Sequence, residues 1–199
     1  MENLTTKIHK KRKIFLKQNC DKGHTFLYGV GAVVISTPHG VTQVRLGHLK
    51  RAELGSIAVA LRVQELTNCH LIAKTQNCFD DANFDECSTY KTELMDFIKE
   101  HDIKFLIDIH GLNASRDCDI NFGIHLGENI SSNPELFDRL NNEFRRQGFV
   151  TWIDQPFMSG KNTIANSMKK LYHPCGQSKL RSITHSQTLS KIAQIWKKL

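Results

Sequence analysis

Two short apolar segments of the sequence each lead into a histidine that a glycine follows. Residues 33–37 precede His39, and residues 105–109 precede His110. Apolar, β-branched runs of this length indicate buried strands. A glycine lets the chain turn and leaves space beside the imidazole ring. We therefore predict two buried strands that each deliver an imidazole to a loop.

Strand-like and helix-like patterns alternate along the rest of the chain. Ser88 is the expected N-cap of one helix. The predicted strands comprise residues 13–17, 30–37, 69–74, 105–109, 120–126 and 149–153, and the predicted helices comprise residues 51–68, 90–101, 134–148 and 183–199. This alternation predicts a single α/β domain over residues 1–199, with a mixed, largely parallel central sheet flanked by helices. Residues 1–13 are polar and basic, and we expect a flexible tail or an edge segment there.

Length and composition exclude several classes of protein. The 199 residues suit one domain, and 40% hydrophobic with 24% charged residues fits neither a disordered chain nor a membrane bundle. No apolar run is long enough to span a bilayer, and no signal-peptide core follows the basic N-terminus. We therefore expect a cytoplasmic protein without a membrane partner. The six cysteines form no C-x-x-C pair, which argues against a cysteine-zinc module and a disulfide framework.

The two histidines at strand ends are candidate metal ligands, because zinc needs rigidly held neutral imidazoles. A third ligand is expected to be Glu53, at the start of the helix over residues 51–68, or His48, in a polar loop. Asp108 precedes His110 by two residues and is placed to accept the second ring proton of a ligand histidine. The alternative is that each histidine caps a strand end and bonds a carbonyl oxygen.

Two arginines have matching positions relative to these histidines. Arg45 follows His39 by six residues, and Arg116 follows His110 by six residues. Either guanidinium would suit a substrate carboxylate beside a metal site, although a surface position is the simpler interpretation. The net charge of +7 attracts anions without specifying their kind.

Several short motifs, in their order along the chain, resemble the N-formylglutamate amidohydrolase family. These are zinc hydrolases related in fold to the zinc carboxypeptidases and the aspartoacylase group. The similar segments are residues 36–40, Glu53 with Gly55, residues 80–85, residues 108–111, residues 117–123 and residues 154–160.

The resemblance implies roles for individual residues. His39, Glu53 and His110 would bind one Zn²⁺ ion per chain. Asn83 would orient a substrate carboxylate or carbonyl group, and Ser159 and Gly160 would line the substrate. The implied reaction is hydrolysis of the amide bond of an N-acyl amino acid. A small acidic acyl-amino acid would match the basic charge balance.

The C-terminal part departs from the family pattern. The family carries Gln-x-Glu-(Ile/Leu)-Asn on a late strand, and its glutamate acts as general base. Lys179 stands in place of that glutamate, and Arg181 in place of the asparagine. A lysine cannot take a proton from water at neutral pH unless its pKa is strongly lowered.

This departure keeps three hypotheses open. The first is an active zinc amidohydrolase. The second is an impaired relative that binds a metal or an acidic ligand without turnover. The third, a basic nucleic-acid-binding protein, rests on charge alone, because neither an aromatic RNA-binding strand nor a helix-turn-helix pattern is present. The sequence does not define an oligomeric state.

Overall fold

The computed structural model describes residues 4–16, 22–131, 134–172 and 181–185. The elements in chain order are α1 (Leu4–Leu16), β1 (His24–Leu27), β2 (Val33–Thr37), β3 (Gln43–Arg45), β4 (His48–Lys50), α2 (Leu54–Thr67), β5 (His70–Lys74), α3 (Thr89–Glu100), β6 (Phe105–Ile109), β7 (Ile120–Phe122), a 3-10 turn (Glu128–Ile130), α4 (Pro134–Arg146), β8 (Thr151–Ile153), α5 (Ile164–Tyr172) and β9 (Arg181–His185).

A mixed sheet forms the centre of this described part of the chain, with the strand order β1-β5-β2-β6-β9. Strand β1 runs antiparallel to β5, whereas the β5–β2, β2–β6 and β6–β9 pairs are parallel. In the register of β2 and β6, Ser36 lies opposite Asp108. The two strands therefore end at the same edge of the sheet, where His39 and His110 follow.

Both faces of the sheet are covered, as parallel strands require. Ile35, Leu71 and Ile107 point to the face that packs against α2 and α4. The alternate residues Val34, Ile72 and Leu106 point to the opposite face, against α3 and α5. Side chains of successive strand residues project to opposite faces, so each strand serves both cores.

The α/β class with a mixed, mostly parallel sheet is confirmed. The strand over Phe105–Ile109 has the predicted limits. The helices α2, α3 and α4 agree with their predictions to within a few residues at each end. Ser88 is the N-cap of α3, since its hydroxyl accepts a hydrogen bond from the backbone N–H of Lys91 at 3.2 Å.

The N-terminal predictions were wrong. Residues 4–16 form α1, neither a tail nor a strand at residues 13–17. The reason is tertiary: Phe15 is buried in the same core cluster as Ile57 and Leu61 of α2, and Leu16 packs against that cluster. Residue 17 lies outside the described ranges.

The C-terminal helix prediction was wrong where it can be compared. Residues 183–185 belong to β9, which pairs in parallel with β6. Ladder hydrogen bonds to a neighbouring strand outweigh a local helical pattern. Residues 186–199 and Lys179 lie outside the described part.

Short elements were not predicted at all. These are β1, the β3–β4 hairpin and α5. His48 therefore opens a strand instead of lying in an irregular loop, and its side chain is exposed. Within the described ranges, no helix combines the length and apolarity that crossing a membrane requires.

Candidate metal centre

Three chain segments meet at the edge of the sheet where β2 and β6 end. His39 follows β2, His110 follows β6 directly, and Glu53 is the N-cap of α2. The backbone N–H of Glu53 donates to the carbonyl oxygen of His39 at 2.8 Å. Glu53 makes no side-chain cap bond, because its carboxylate is turned toward the histidines.

The donor atoms of these three side chains converge. His39 Nδ1 lies 2.9 Å from Glu53 Oε1, and His110 Nδ1 lies 3.1 Å from Glu53 Oε2. The two Nδ1 atoms are 3.1 Å apart. Among the described residues, these three side chains form the one group of potential metal ligands whose donor atoms all lie within 4.8 Å of one another.

A buried carboxylate stands behind each imidazole. Asp81 Oδ1 lies 2.7 Å from His39 Nε2, and Asp108 Oδ2 lies 2.9 Å from His110 Nε2. Both aspartates have no exposed surface. A carboxylate that accepts the Nε2 proton leaves Nδ1 as the ring atom that can bind an ion when the imidazole is neutral.

The glycine after each histidine provides space that a side chain would fill. A Cβ on Gly40 would lie 2.0 Å from Ile57 Cδ1, which is a severe clash. A Cβ on Gly111 would lie 3.0 Å from Glu53 Cβ. The backbone N–H of Gly111 also donates to Glu53 Oε2 at 2.8 Å. Gly111 therefore helps to position the Glu53 carboxylate.

The charges of this cluster are strongly coupled. Burial by itself raises the pKa of Glu53, but hydrogen bonds and charge from His110 and His39 outweigh it and hold that pKa well below its usual range. Burial lowers the pKa of His110, yet the charges and hydrogen bonds of Asp108 and Glu53 raise it to about 10. For Asp81, the effect of burial is outweighed by His39 and Arg45, and its pKa is lowered.

The β3–β4 hairpin brings two cations to this cluster. Arg45 on β3 donates from Nε to Asp81 Oδ2 at 2.8 Å, and its Nη2 lies 2.7 Å from the same oxygen. Lys50 on β4 places its Nζ 2.8 Å from His39 Nδ1 and 3.2 Å from Glu53 Oε1. The sequence analysis did not single out Asp81 or Lys50 as site residues. The motif over residues 80–85 contained a signal for Asp81, whereas no local pattern marked Lys50.

A cavity of about 600 Å³ opens beside the cluster. Its wall includes Arg45, Asn83, Ser159 and Gly160, four of the residues predicted to contact substrate. Arg116 is not part of that wall. It is exposed, and its guanidinium lies 5.5 Å from the centre of the Phe157 ring.

Some of these wall residues also hold the wall together. Asn83 Oδ1 accepts a hydrogen bond from the backbone N–H of Ile164 at 2.9 Å, at the start of α5. Ser159 Oγ lies 2.7 Å from Thr163 Oγ1. The structure thus gives Asn83 and Ser159 a positioning role beside any contact with a substrate.

The donor set fits a zinc ion. Two imidazoles and one carboxylate leave a position open, as catalytic zinc sites do. An ion ~2.0–2.2 Å from each donor requires donor separations of roughly 3–3.5 Å, close to the 2.9 and 3.1 Å observed. The cluster of His39, Glu53 and His110 is therefore a candidate metal site.

Comparison with known proteins shows that this chain is similar in fold to solved structures. The sequence matches no model of a known protein family, and no curated protein sequence is significantly similar to it. The structure is similar to that of a bacteriophage poly-gamma-glutamate hydrolase, with a TM-score of 0.54 and 12% identity over 91% of this chain and 89% of the other. It is also similar to a gene product of Agrobacterium tumefaciens, with a TM-score of 0.54 and 11% identity over 93% of both chains.

A third solved structure is more distant. A metallo-carboxypeptidase from Pseudomonas aeruginosa aligns with 97% of this chain and 65% of its own length, at 13% identity and a TM-score of 0.48. At such low identities, the comparisons establish that the chain shares its fold with the first two of these structures.

Proposed function

We propose that the protein is a zinc-dependent hydrolase of the amide bond of a small acidic N-acyl amino acid, of the N-formylglutamate type. The observation that carries this proposal is the convergence of His39 Nδ1, His110 Nδ1 and the Glu53 carboxylate beside a cavity. These three residues would hold one ion per chain. When bound, such an ion supplies Lewis-acid chemistry, since it lowers the pKa of water and polarises a carbonyl oxygen.

The chain's own contribution is to orient the donors. Asp81 and Asp108 hold the Nε2 protons of the two histidines, which fixes the tautomer and the angle of each ring. The N–H of Gly111 holds one oxygen of Glu53. These contacts keep the donors in place before an ion arrives, so little ordering is required on binding.

The cavity wall supports an acidic substrate. Arg45, Lys50 and Lys161 bring positive charge to it, and Asn83, Ser159 and Gly160 bring polar groups. In this proposal Arg45 and Asn83 contact the substrate carboxylate. Arg116, on the exposed side of Phe157, would act at the entrance. Asp108 acts on the substrate only through His110.

One observation favours the second candidate, an impaired relative that binds without turnover. Among the described residues that line the cavity, Glu53 is the only carboxylate, and the proposal already uses it as a ligand. The described residues that line the cavity therefore supply no second carboxylate to act as general base. Lys179, at the position where the family resemblance places that base, lies outside the described ranges.

Metal content and hydrolysis together test the proposal. Purified protein should contain one zinc ion per chain and release the acyl group from N-formylglutamate or a close acidic homologue. The amide analogue of the substrate, which lacks the side-chain charge, should have a higher KM. Replacing Arg45 by methionine should remove most of that difference. Zinc binding without hydrolysis of any acyl-amino acid would favour the second candidate.

The substitution Lys179→Glu separates the two candidates further. General-base catalysis is worth about 10²–10⁴-fold, so a restored glutamate should increase turnover by up to that factor at unchanged zinc content. Rapid turnover by the unaltered protein would contradict this expectation. Glu53 would then be the first residue to test as the base, and its role as a ligand would be withdrawn.

A further inference from the structure

The Lys50 ammonium group contacts two residues of the candidate metal centre. Its Nζ lies 2.8 Å from His39 Nδ1, 3.2 Å from Glu53 Oε1 and 3.5 Å from His39 Nε2. The lysine therefore lies against the His39 ring and bonds the carboxylate at the same time. It supplies positive charge beside two of the three proposed ligands.

A metal ion and this ammonium group compete for the same atom, because the Nδ1 lone pair of His39 can accept from Nζ or bind an ion but not both. An ion ~2.2 Å from His39 Nδ1 would be at most about 5 Å from Nζ, because Nζ is itself 2.8 Å from that nitrogen. Two cations at this distance in a partly buried site repel each other strongly. Glu53 Oε1 would also have to exchange its hydrogen bond from Lys50 for a bond to the ion.

The hairpin that carries Lys50 is anchored to the site, whereas its ammonium has room to move. Lys50 pairs with Gln43 across the hairpin, and Arg45 on the opposite strand is bound to the buried Asp81. The Lys50 side chain is 30% exposed and lines the cavity. Its backbone thus stays beside the centre while the long side chain can withdraw into the cavity.

We propose that Lys50 is a built-in competitor of the metal ion: it balances the charge of Glu53 in the metal-free site and must be displaced for the ion to bind. This inference rests on the proposed metal site but not on hydrolysis. It assigns the control of metal affinity to a residue of the β3–β4 hairpin. The class of ligand concerned is a divalent cation bound by two imidazoles and one carboxylate.

The test is a calorimetric titration of zinc chloride into chelator-treated, full-length protein. The substitution Lys50→Met removes a charged hydrogen bond worth about 1.5–3 kcal/mol, so zinc should bind about tenfold to a hundredfold more tightly. Lys161→Met is the matched control, because Lys161 lines the same cavity. Lys161→Met should change the zinc affinity by less than about threefold. In this proposal the affinity depends on the contact of Lys50 with the ligands and not on the total charge of the cavity.

Further variants keep the result interpretable. Lys50→Arg retains the charge and should leave the zinc affinity near that of the unaltered protein. Where Lys50→Met does not yield folded protein, Lys50→Gln removes the charge while keeping a hydrogen-bond donor, and it should also tighten binding. An unchanged or weaker zinc affinity in the folded neutral variants would overturn the proposal. Absence of zinc binding by the unaltered protein and by all Lys50 variants would overturn it together with the metal site, whereas zinc binding without amide hydrolysis would contradict the proposed reaction alone.

Discussion

In the described part of the chain, two pairs of neighbouring histidines lie at opposite ends of the strands of the central sheet. His39 and His110 follow the ends of β2 and β6, and their ring centres are 4.7 Å apart. His70 begins β5 and lies 5.7 Å from His101, at the end of α3. Since β5 runs parallel to β2, the second pair lies at the edge where the strands begin.

The surroundings of the two pairs differ. The His39–His110 pair contacts Glu53, Asp81 and Asp108. The rings of His70 and His101 instead pack against Phe97, at 5.1 and 4.1 Å between ring centres. His70 Nδ1 accepts a hydrogen bond from the backbone N–H of Gly29. The carboxylates, and not the histidine pair, distinguish a candidate metal site from aromatic packing.

The pKa values of His70 and His110 move in opposite directions because their neighbours differ. Burial and the nearby His101 lower the pKa of His70, whereas Asp108 and Glu53 raise the pKa of His110 to about 10 despite its burial. His70 and His110 therefore carry different charge near neutral pH, because His110 has two carboxylate neighbours and His70 has none among its contacts with described residues.

The largest expected effect is loss of metal binding when a ligand histidine is removed. His39→Ala and His110→Ala should each lower zinc affinity by more than ~10–100-fold. That range is the usual cost of losing a group that hydrogen-bonds a ligand histidine. His101→Ala, in the other pair, should retain one zinc ion per chain. Elemental analysis after dialysis against a metal buffer measures the difference. Equal zinc loss in all three variants would show that the two pairs do not differ in this way.

Removing a carboxylate behind an imidazole should have a smaller effect. Asp81→Asn and Asp108→Asn should weaken zinc binding by about 10–100-fold, because each ring loses the group that orients it. Glu93→Gln is the matched control, since Glu93 also contacts a histidine, His24, at 3.1 Å but away from the centre. Competition with a fluorescent chelator gives the affinities. If Glu93→Gln weakened zinc binding as much, a general electrostatic effect would explain the result better.

A single methyl group beside Glu53 should weaken zinc binding by less than the aspartate substitutions do. In Gly111→Ala the new Cβ would lie 3.0 Å from Glu53 Cβ, so the carboxylate must shift. We expect zinc affinity to fall by roughly three- to tenfold, which is less than the fall expected for Asp81→Asn or Asp108→Asn. Gly55→Ala is the control: its Cβ meets open space on α2, and alanine there should stabilise the helix by up to about 1 kcal/mol. Identical affinities for the two variants would mean that Glu53 tolerates the methyl group.

A separate prediction concerns stability and not metal binding: His70 and His110 should give pH dependences of opposite sign in metal-free protein. The His70 pKa is lowered on folding, so the unfolded chain binds more protons and the free energy of unfolding decreases as pH falls below about 6.5. The His110 pKa is raised, so its stabilisation is complete below about pH 6.5 and is lost as pH rises through about 10.

Urea denaturation at pH 5.5, 7 and 9 measures these slopes. His70→Asn should reduce the loss of stability toward pH 5.5 and leave the alkaline side unchanged. His110→Asn should reduce the loss toward pH 9 instead. Slopes of the same sign for both histidines would contradict the contrast between the two environments.

Much of the fold could be predicted from local patterns. A few neighbouring residues suffice to predict the strand over Phe105–Ile109 and the Ser88 cap. The same holds for the helical spacing in α2, α3 and α4. The strands β1, β3 and β4 were missed because three or four residues carry too little periodicity. In α1, a polar and basic composition concealed a helix that packs through Phe15.

The candidate site was partly visible in the same patterns. Two strand–histidine–glycine segments and the family resemblance indicated His39, Glu53 and His110, and the structure brings these three side chains together. Their roles as zinc ligands stay predictions, as do the substrate and the cellular location. Of Arg45, Asn83 and Arg116, the first two line the cavity, whereas Arg116 lies over Phe157, and its role in substrate binding stays a prediction.

The sequence by itself determined the strands that lead into His39 and His110, because apolar runs and glycines act within a few residues of the chain. Only the tertiary structure decided which carboxylates and cations surround those rings. Asp81 is 42 residues from His39 along the chain, and His110 is 71 residues from it. Contacts over such separations depend on strand order and register, in which β2 and β6 lie side by side with Ser36 opposite Asp108. Lys50 is an intermediate case: it lies three residues from Glu53 along the chain, whereas the two-stranded hairpin carries its ammonium to His39, eleven residues away.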